Sequence, residues 1–367
     1  VRDWTDLQMR VHRRAQALVG SGREIGLQVA AYLDGQLIVN VVAGVADEST
    51  GAPVTPETTF FSPATGKGLA STAVHVLAEQ GRLDYDLRVA DVWPEYARHG
   101  KQDTTLRHVL LHAAGVPALP SYSTAEDFLD WNLMCRTIAS STPLWQPGAR
   151  HGVHEWTYGW LLGEVVRRIV GRPLAWVVAE HIARPLNADR ELFLGVPPDQ
   201  LNRVARLKDR NWTAALDLFS ANLENFDKVA PPAVRPDAAL GNRRDILRAE
   251  IPAVATVSAR GMARMYSALM DKVDGVRLIS PDRLKLISTV HTEGPDWTIG
   301  GDLPKTLGYV AKGSGRIGWG GNGGGLAGFY PELGLAVAAT KNYLGVSDQD
   351  PMEDCATMIH DAVAGDG

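Results

Sequence analysis

Cysteine is scarce: the chain of 367 residues holds two, Cys135 and Cys355. Two cannot build a disulfide framework or a zinc site, so they read as small buried hydrophobes in a reducing compartment, with a cytoplasmic location as the expectation. No apolar run reaches about 18 residues, which leaves no candidate for a membrane-spanning helix. The N-terminal VRDWTDLQMRVHRRAQ lacks an apolar signal region, although a removed one leaves no trace. Basic blocks are missing as well. The net charge of −5 is spread along the chain, which argues against a nucleic-acid partner. Internal repeats and low-complexity segments are absent. Ten histidines offer no metal-ligand spacing beyond His151 and His154, and that pair has no carboxylate or cysteine partner, so neither metal nor cofactor is expected.

What is present fits a globular protein of enzyme size. Hydrophobic residues make up 45% and charged residues 22%, and the length favours two lobes over one small core. Thr5-Asp6-Leu7-Gln8 matches a capping box, followed by the apolar face Leu7, Val11, Ala15, Leu18 and Val19. Residues 26–46 read as a hairpin with its turn at Asp34-Gly35. Helical patterns dominate from about residue 64 to 250. Among them, Thr157 is the expected cap of YGWLLGEVVRRIVG, whose core stripe is Leu161, Leu162, Val165 and Ile169. Residues 196–250 carry weaker periodicity and several prolines, the mark of a surface excursion or lid. Strand-like segments return after Thr306, turning at Pro331-Glu332-Leu333-Gly334, and Asp350-Pro351-Met352-Glu353 opens a last amphipathic helix.

This order predicts an α+β fold: an antiparallel sheet built from both ends of the chain, flanked by N- and C-terminal helices, with an inserted helical lobe. The expected domains are a discontinuous sheet domain (1–62 and 255–367) and a helical domain (63–254) with its lid at 196–250.

The stretch FFSPATGKGLASTAVHVLAEQG, residues 60–81, organises the rest. Leu69, Ala73, Val76 and Leu77 mark one buried helix face, and Gly81 stands where a C-cap belongs. Lys67 lies in the first turn of this almost uncharged helix, where a lysine either snorkels to water or serves chemistry. Four further segments accompany it: TLRHVLLHAAGVP, WTYGWLLGEVVRRIVGR, SARGMARMY and GWGGNGGGLAGF. Together, in this order and spacing, the five resemble the serine β-lactamase-like proteins, from about residue 5 to 364. The resemblance is to the esterase and transacylase branch, of which the capuramycin-type ester-to-amide transacylases and statin-side-chain acyltransferases are examples.

The resemblance implies acyl transfer through a serine acyl-enzyme. In such proteins Ser-x-x-Lys places serine and lysine on one helix face, so that a neutral lysine accepts the serine proton. Here the lysine is Lys67, and three residues before it stands Ala64. Ser62 is two residues early, and Thr65 is rotated by about 100° around the helix axis. Three accounts stay open: a variant whose serine was replaced to hold substrate intact, a natural pseudoenzyme, or use of Ser62 or Thr65. The family's second motif brings a tyrosine that shuttles protons. Its position falls on His154, or on Val153 with a loop one residue longer, and Tyr158 competes with His154 for the role. The third motif fits Trp319-Gly320-Gly321, whose glycines let substrate lie against the backbone, with the N–H groups of residue 64 and Asn322 forming an oxyanion hole. Trp319 matches the Trp-x-Gly form of the esterase branch and replaces the cation of the Lys-Thr-Gly form, which tilts the reading away from carboxylate-bearing β-lactams and D-peptide termini. His112 is implied to be structural. The implied partners are a small-molecule acyl donor and an amine, alcohol or water acceptor, with no nucleic acid, membrane or cofactor involved.

Overall fold

The structure, a computed structural model, describes residues 3–321 and 323–365. Helix α1 (Thr5–Gly20) leads into the hairpin of β1 (Gly26–Leu33) and β2 (Gln36–Asp47). Its turn residues Asp34 and Gly35 both take positive φ, 48° and 78°, which matches the right-handed twist of the strands. The capping box expected at Thr5 does not form. Thr5 is already helical, and its N–H donates to Asp3 Oδ1 at 2.9 Å. Gln8 instead exchanges two bonds with the Asn40 backbone, 3.0 and 2.8 Å, fastening α1 to β2.

β3 (Ala52–Pro53) and β4 (Phe60–Pro63) precede helix α2 (Thr65–Glu79). The mostly helical stretch that follows includes β5 (Leu192–Phe193) and β6 (Lys208–Asp209), and β7 (Val254–Val257) ends it. The chain then supplies β8 (Val310–Ala311), β9 (Ile317–Gly320), β10 (Leu326–Tyr330), β11 (Leu335–Lys341), β12 (Tyr343–Leu344) and a helix from Pro351 to Ala364. Asp350 Oδ1 caps that helix by accepting from the Met352 N–H at 2.8 Å.

Both ends of the chain build one seven-stranded sheet in the order β3-β2-β1-β11-β10-β9-β8. Its centre pairs β1 with β11 antiparallel, from Leu27↔Lys341 to Leu33↔Leu335. Side chains alternate across the pleat. Leu27, Val29 and Ala31 join Val11 and Cys355 under α1 and the last helix, whereas Ala30 and Tyr32 join the larger core on the other face. This is the α+β architecture that the element order predicts. Among the described residues no helix is long and apolar enough to cross a membrane.

α2 is buried from Thr65 to Ala78. Gly66 and Gly68 make that possible, because a Cβ would lie 2.2 Å from the Val254 backbone at the first and 2.0 Å from the Tyr266 hydroxyl at the second. The glycines flanking Lys67 are therefore packing requirements. The helix Thr157–Val170 departs from expectation at its start: Thr157 is its first helical residue, and the hydroxyl is buried without a partner instead of capping. β4 and β7 pair antiparallel, Phe60↔Val257 to Pro63↔Val254, where the chain leaves the sheet region and returns to it.

Candidate functional site

β4 delivers the chain to Ala64, the residue before α2, whose φ of 66° and ψ of −47° form a kink that alanine rarely adopts. The kink puts Ala64 in the wall of a cavity of about 300 Å³. Lys67, three residues on, is wholly buried, and its Nζ donates to Glu155 Oε2 at 3.2 Å and lies 5.5 Å from the Trp319 ring centroid. Burial pushes the Lys67 pKa below its ordinary value, and the Glu155 carboxylate opposes part of that fall. Glu155, Trp319 and Gly320 line the cavity beside Ala64. The buried amine is thus enclosed by the residues that form one end of the cavity.

Neither alternative nucleophile reaches this place. Thr65 Oγ1 donates to Ser62 O at 3.1 Å, Ser62 Oγ donates to Phe60 O at 3.3 Å, and both residues border a separate small pocket with Gly321 and Lys341. Gly321 belongs to that neighbouring pocket and its N–H donates to Gly325 O, while Asn322 lies outside the described residues.

His154 is placed otherwise than the sequence predicts. Its Nε2 accepts from the Val116 N–H at 3.1 Å and its Nδ1–H donates to Gly152 O at 2.7 Å. Burial lowers its pKa to about 4, so the ring is neutral and both nitrogens are committed to backbone. Its neighbours Val153 and Glu155 are the ones that line the cavity. Replacing His154 with alanine orphans the Val116 N–H and is expected to cost about 1–3 kcal/mol of stability, read from the urea midpoint. Tyr158 is also turned inward: its hydroxyl sits 2.6 Å from Ser71 Oγ, and its ring stacks on His112 at 4.2 Å. His112 accepts the His154 N–H on Nδ1 at 3.0 Å and packs edge-on against Trp319, so it holds the loop and two rings in place.

A second buried pair shapes the wall. Lys305 Nζ donates to Asp296 Oδ2 at 2.7 Å, to His151 Nδ1 at 2.8 Å and to Leu303 O at 3.0 Å. Asp296 in turn accepts from the N–H groups of Val153, Thr298 and Ile299. The pair thereby fixes the two loops that carry Val153, Ile299 and Leu303 to the cavity. His151 and His154 are both spoken for in this way, and among the described residues no group of His, Cys, Asp and Glu is arranged to hold a metal.

The opposite wall comes from residues 212–230. Trp212, Leu216 and Phe219 on the helix Trp212–Asn222, with Phe226 and Val229 after it, face the cavity. Trp212 is fixed by its Nε1–H donating to Pro236 O at 2.9 Å, and Arg235 joins the two short helices through Asp217 at 2.6 Å and Asp227 at 3.1 Å. Sequence reasoning missed Glu155, and it expected a lid over 196–250 without naming the residues in it that face the cavity. Glu155 carried no signal beyond lying next to the expected proton-shuttle position. The wall residues sit on a helix that is apolar on more than one face, so no periodicity marked them.

Comparison with known proteins agrees with the geometry. Residues 11–354 match the Beta-lactamase family model. Esterase/beta-lactamase LipL of Mycobacterium tuberculosis is 32% identical over 353 residues, covering 90% of this chain and 80% of LipL. A family VIII carboxylesterase superposes with a TM-score of 0.86 at 27% identity, covering 98% and 97% of the two chains. A penicillin-binding protein homologue from Caulobacter crescentus superposes with a TM-score of 0.84 at 27% identity, covering 99% and 98%. Matched nearly end to end, and with Lys67 buried at the mouth of α2, the chain belongs to the beta-lactamase family and has the fold of its serine esterases.

Proposed function

We propose that the cavity is the acyl-binding cleft of a serine-type acyl-transfer site in which Ala64 occupies the nucleophile position, so that this chain binds an ester or amide without turning it over. One observation carries the reading: Lys67 is buried three residues after Ala64, held by Glu155, at the end of a cavity that both Ala64 and Trp319 line. A serine at 64 would attack the substrate carbonyl carbon and pass its proton to the neutral Lys67 amine. The oxyanion would form near the residue 64 N–H, and collapse would expel the alcohol or amine, which takes the proton from Lys67. An aromatic wall over the cleft disfavours water as the second nucleophile, which supports transfer to an amine or alcohol of the kind used in natural-product and antibiotic biosynthesis. A carboxylesterase is the alternative within the same class.

The Ala64→Ser variant tests this. With a p-nitrophenyl acyl ester it is expected to release a burst of p-nitrophenolate and to carry an acyl adduct on residue 64 by mass spectrometry. Absence of both sinks the acyl-transfer reading. Adding amine acceptors then separates the two enzymes: amide product marks a transacylase, free acid an esterase.

A second reading is favoured by the placement of His154. With both of its nitrogens on backbone, no second proton carrier lines the cavity at that position, as befits a non-catalytic binding protein. Under that reading the serine variant acylates once and stays acylated.

A further inference from the structure

We propose that Glu155 is the second proton carrier of this site, taking the proton of the acceptor as the acyl group leaves residue 64. The proposal rests on the acyl-transfer reading of the cavity with serine at position 64. It adds a residue to the second half of that reaction, so the two fail at different steps.

Lys67, the base of the first half, is wholly buried and is not part of the cavity lining. Glu155 is part of it. Its Oε2 accepts from Lys67 Nζ at 3.2 Å, and its side chain remains 12% exposed. One carboxylate thus touches the buried amine and also borders the space where an acceptor enters. An incoming amine, alcohol or water meets Glu155 before it can meet Lys67.

Other groups able to move a proton nearby are committed elsewhere. His154 has both ring nitrogens on backbone, the Tyr158 hydroxyl is buried against Ser71 Oγ, and His151 Nδ1 is bonded to Lys305 Nζ. None of the three lines the cavity. Lys312, the other ionisable residue of the lining, is exposed in the turn between β8 and β9. The backbone around Glu155, by contrast, is firmly held. The Val153 N–H donates to Asp296 Oδ2 at 3.0 Å, and the His154 N–H donates to His112 Nδ1 at 3.0 Å. The helix Thr157–Val170 begins two residues on and is buried from Thr157 to Val166. A proton carrier needs such support, because transfer requires the group to stay within hydrogen-bond reach. The histidines that carry no proton themselves fix the residue that does.

In the acyl-enzyme the acyl carbon is bonded to the serine oxygen at residue 64. The acceptor oxygen or nitrogen attacks that carbon, and its proton passes to the Glu155 carboxylate. Lys67 receives this proton from Glu155 and delivers one of its own to the serine oxygen as the C–O bond breaks. The new ester, amide or acid departs. Serine, amine and carboxylate are back in their starting forms.

The test uses the full chain carrying Ala64→Ser, acylated with p-nitrophenyl butanoate and freed of excess ester. Loss of the adduct is followed by mass spectrometry in water alone and with benzylamine as acceptor. Adding Glu155→Gln, which keeps the shape of the side chain, is expected to slow that loss by about 10²–10⁴-fold. Glu155→Ala is expected to be slowed as much, and added formate to restore its rate by about tenfold without accelerating Ala64→Ser alone. A residue that only held Lys67 in place would not respond to a free carboxylate. Glu155→Gly repeats the rescue if circular dichroism shows the alanine variant unfolded. A change of less than about threefold in Glu155→Gln, no rescue by formate, or failure of Glu155→Gln to form an adduct would each overturn the proposal. An Ala64→Ser adduct that never decays also overturns it, while leaving the acyl-transfer reading in place. Absence of any adduct on Ala64→Ser removes both.

Discussion

Lys67→Met, introduced together with Ala64→Ser, is expected to slow acylation by about 10²–10⁴-fold relative to Ala64→Ser alone. Methionine preserves the approximate length and burial of the side chain while removing the amine buried three residues after position 64. Lysine must be neutral to accept the serine proton, so the acylation rate should rise with pH through the Lys67 pKa. Burial has already moved that pKa downward, and Glu155 pulls it partly back up. Glu155→Gln removes the upward contribution. In the Ala64→Ser background it should therefore shift the acid limb of the pH–rate profile to lower pH. Stopped-flow release of p-nitrophenolate across pH reads both effects. A limb that stays in place under Glu155→Gln shows that some other group supplies the base.

The second large effect is structural. Lys305→Met should destabilise the protein by about 3–5 kcal/mol, because it leaves Asp296 charged and wholly buried without its counter-ion. Adding Asp296→Asn should recover much of that loss, since an amide oxygen can still accept from Val153, Thr298 and Ile299. Urea midpoints of the two single variants and the double variant measure the coupling, and simple additivity would show that the pair does not act as a unit. Acid should weaken the native pair too. Burial by itself raises the Asp296 pKa, but Lys305 and the N–H donors outweigh it and hold the carboxyl below its ordinary value. Its stabilisation is thus fully present above that value and is lost as pH falls through the lowered one. Because the same pair sets Val153 and Ile299 in the cavity wall, ligand affinity should fall with stability in Lys305→Met.

The residues that sequence reading placed well are those governed by local rules. Lys67 at the start of an uncharged helix, the Asp34-Gly35 turn and the Asp350 cap each follow from neighbours within a few positions, and the structure contains all three. The failures share a different cause. Thr5 and Thr157 carry good capping side chains, yet Asp3 takes over one role and burial silences the other. His154 carries the right chemistry at the right spacing, but its ring is engaged by Val116 and Gly152, partners that only folding brings around it.

The sequence by itself determined the α+β architecture, the family and the position of Lys67 behind Ala64, because helix periodicity, turn chemistry and motif spacing are properties of contiguous residues. Tertiary structure alone decided which side chains face the cavity. Glu155 reaches Lys67 across 88 positions of chain, and the aromatic wall comes from a segment far from α2. Burial, charge compensation and the direction of a ring depend on what is packed alongside, and nothing in a linear spacing encodes that.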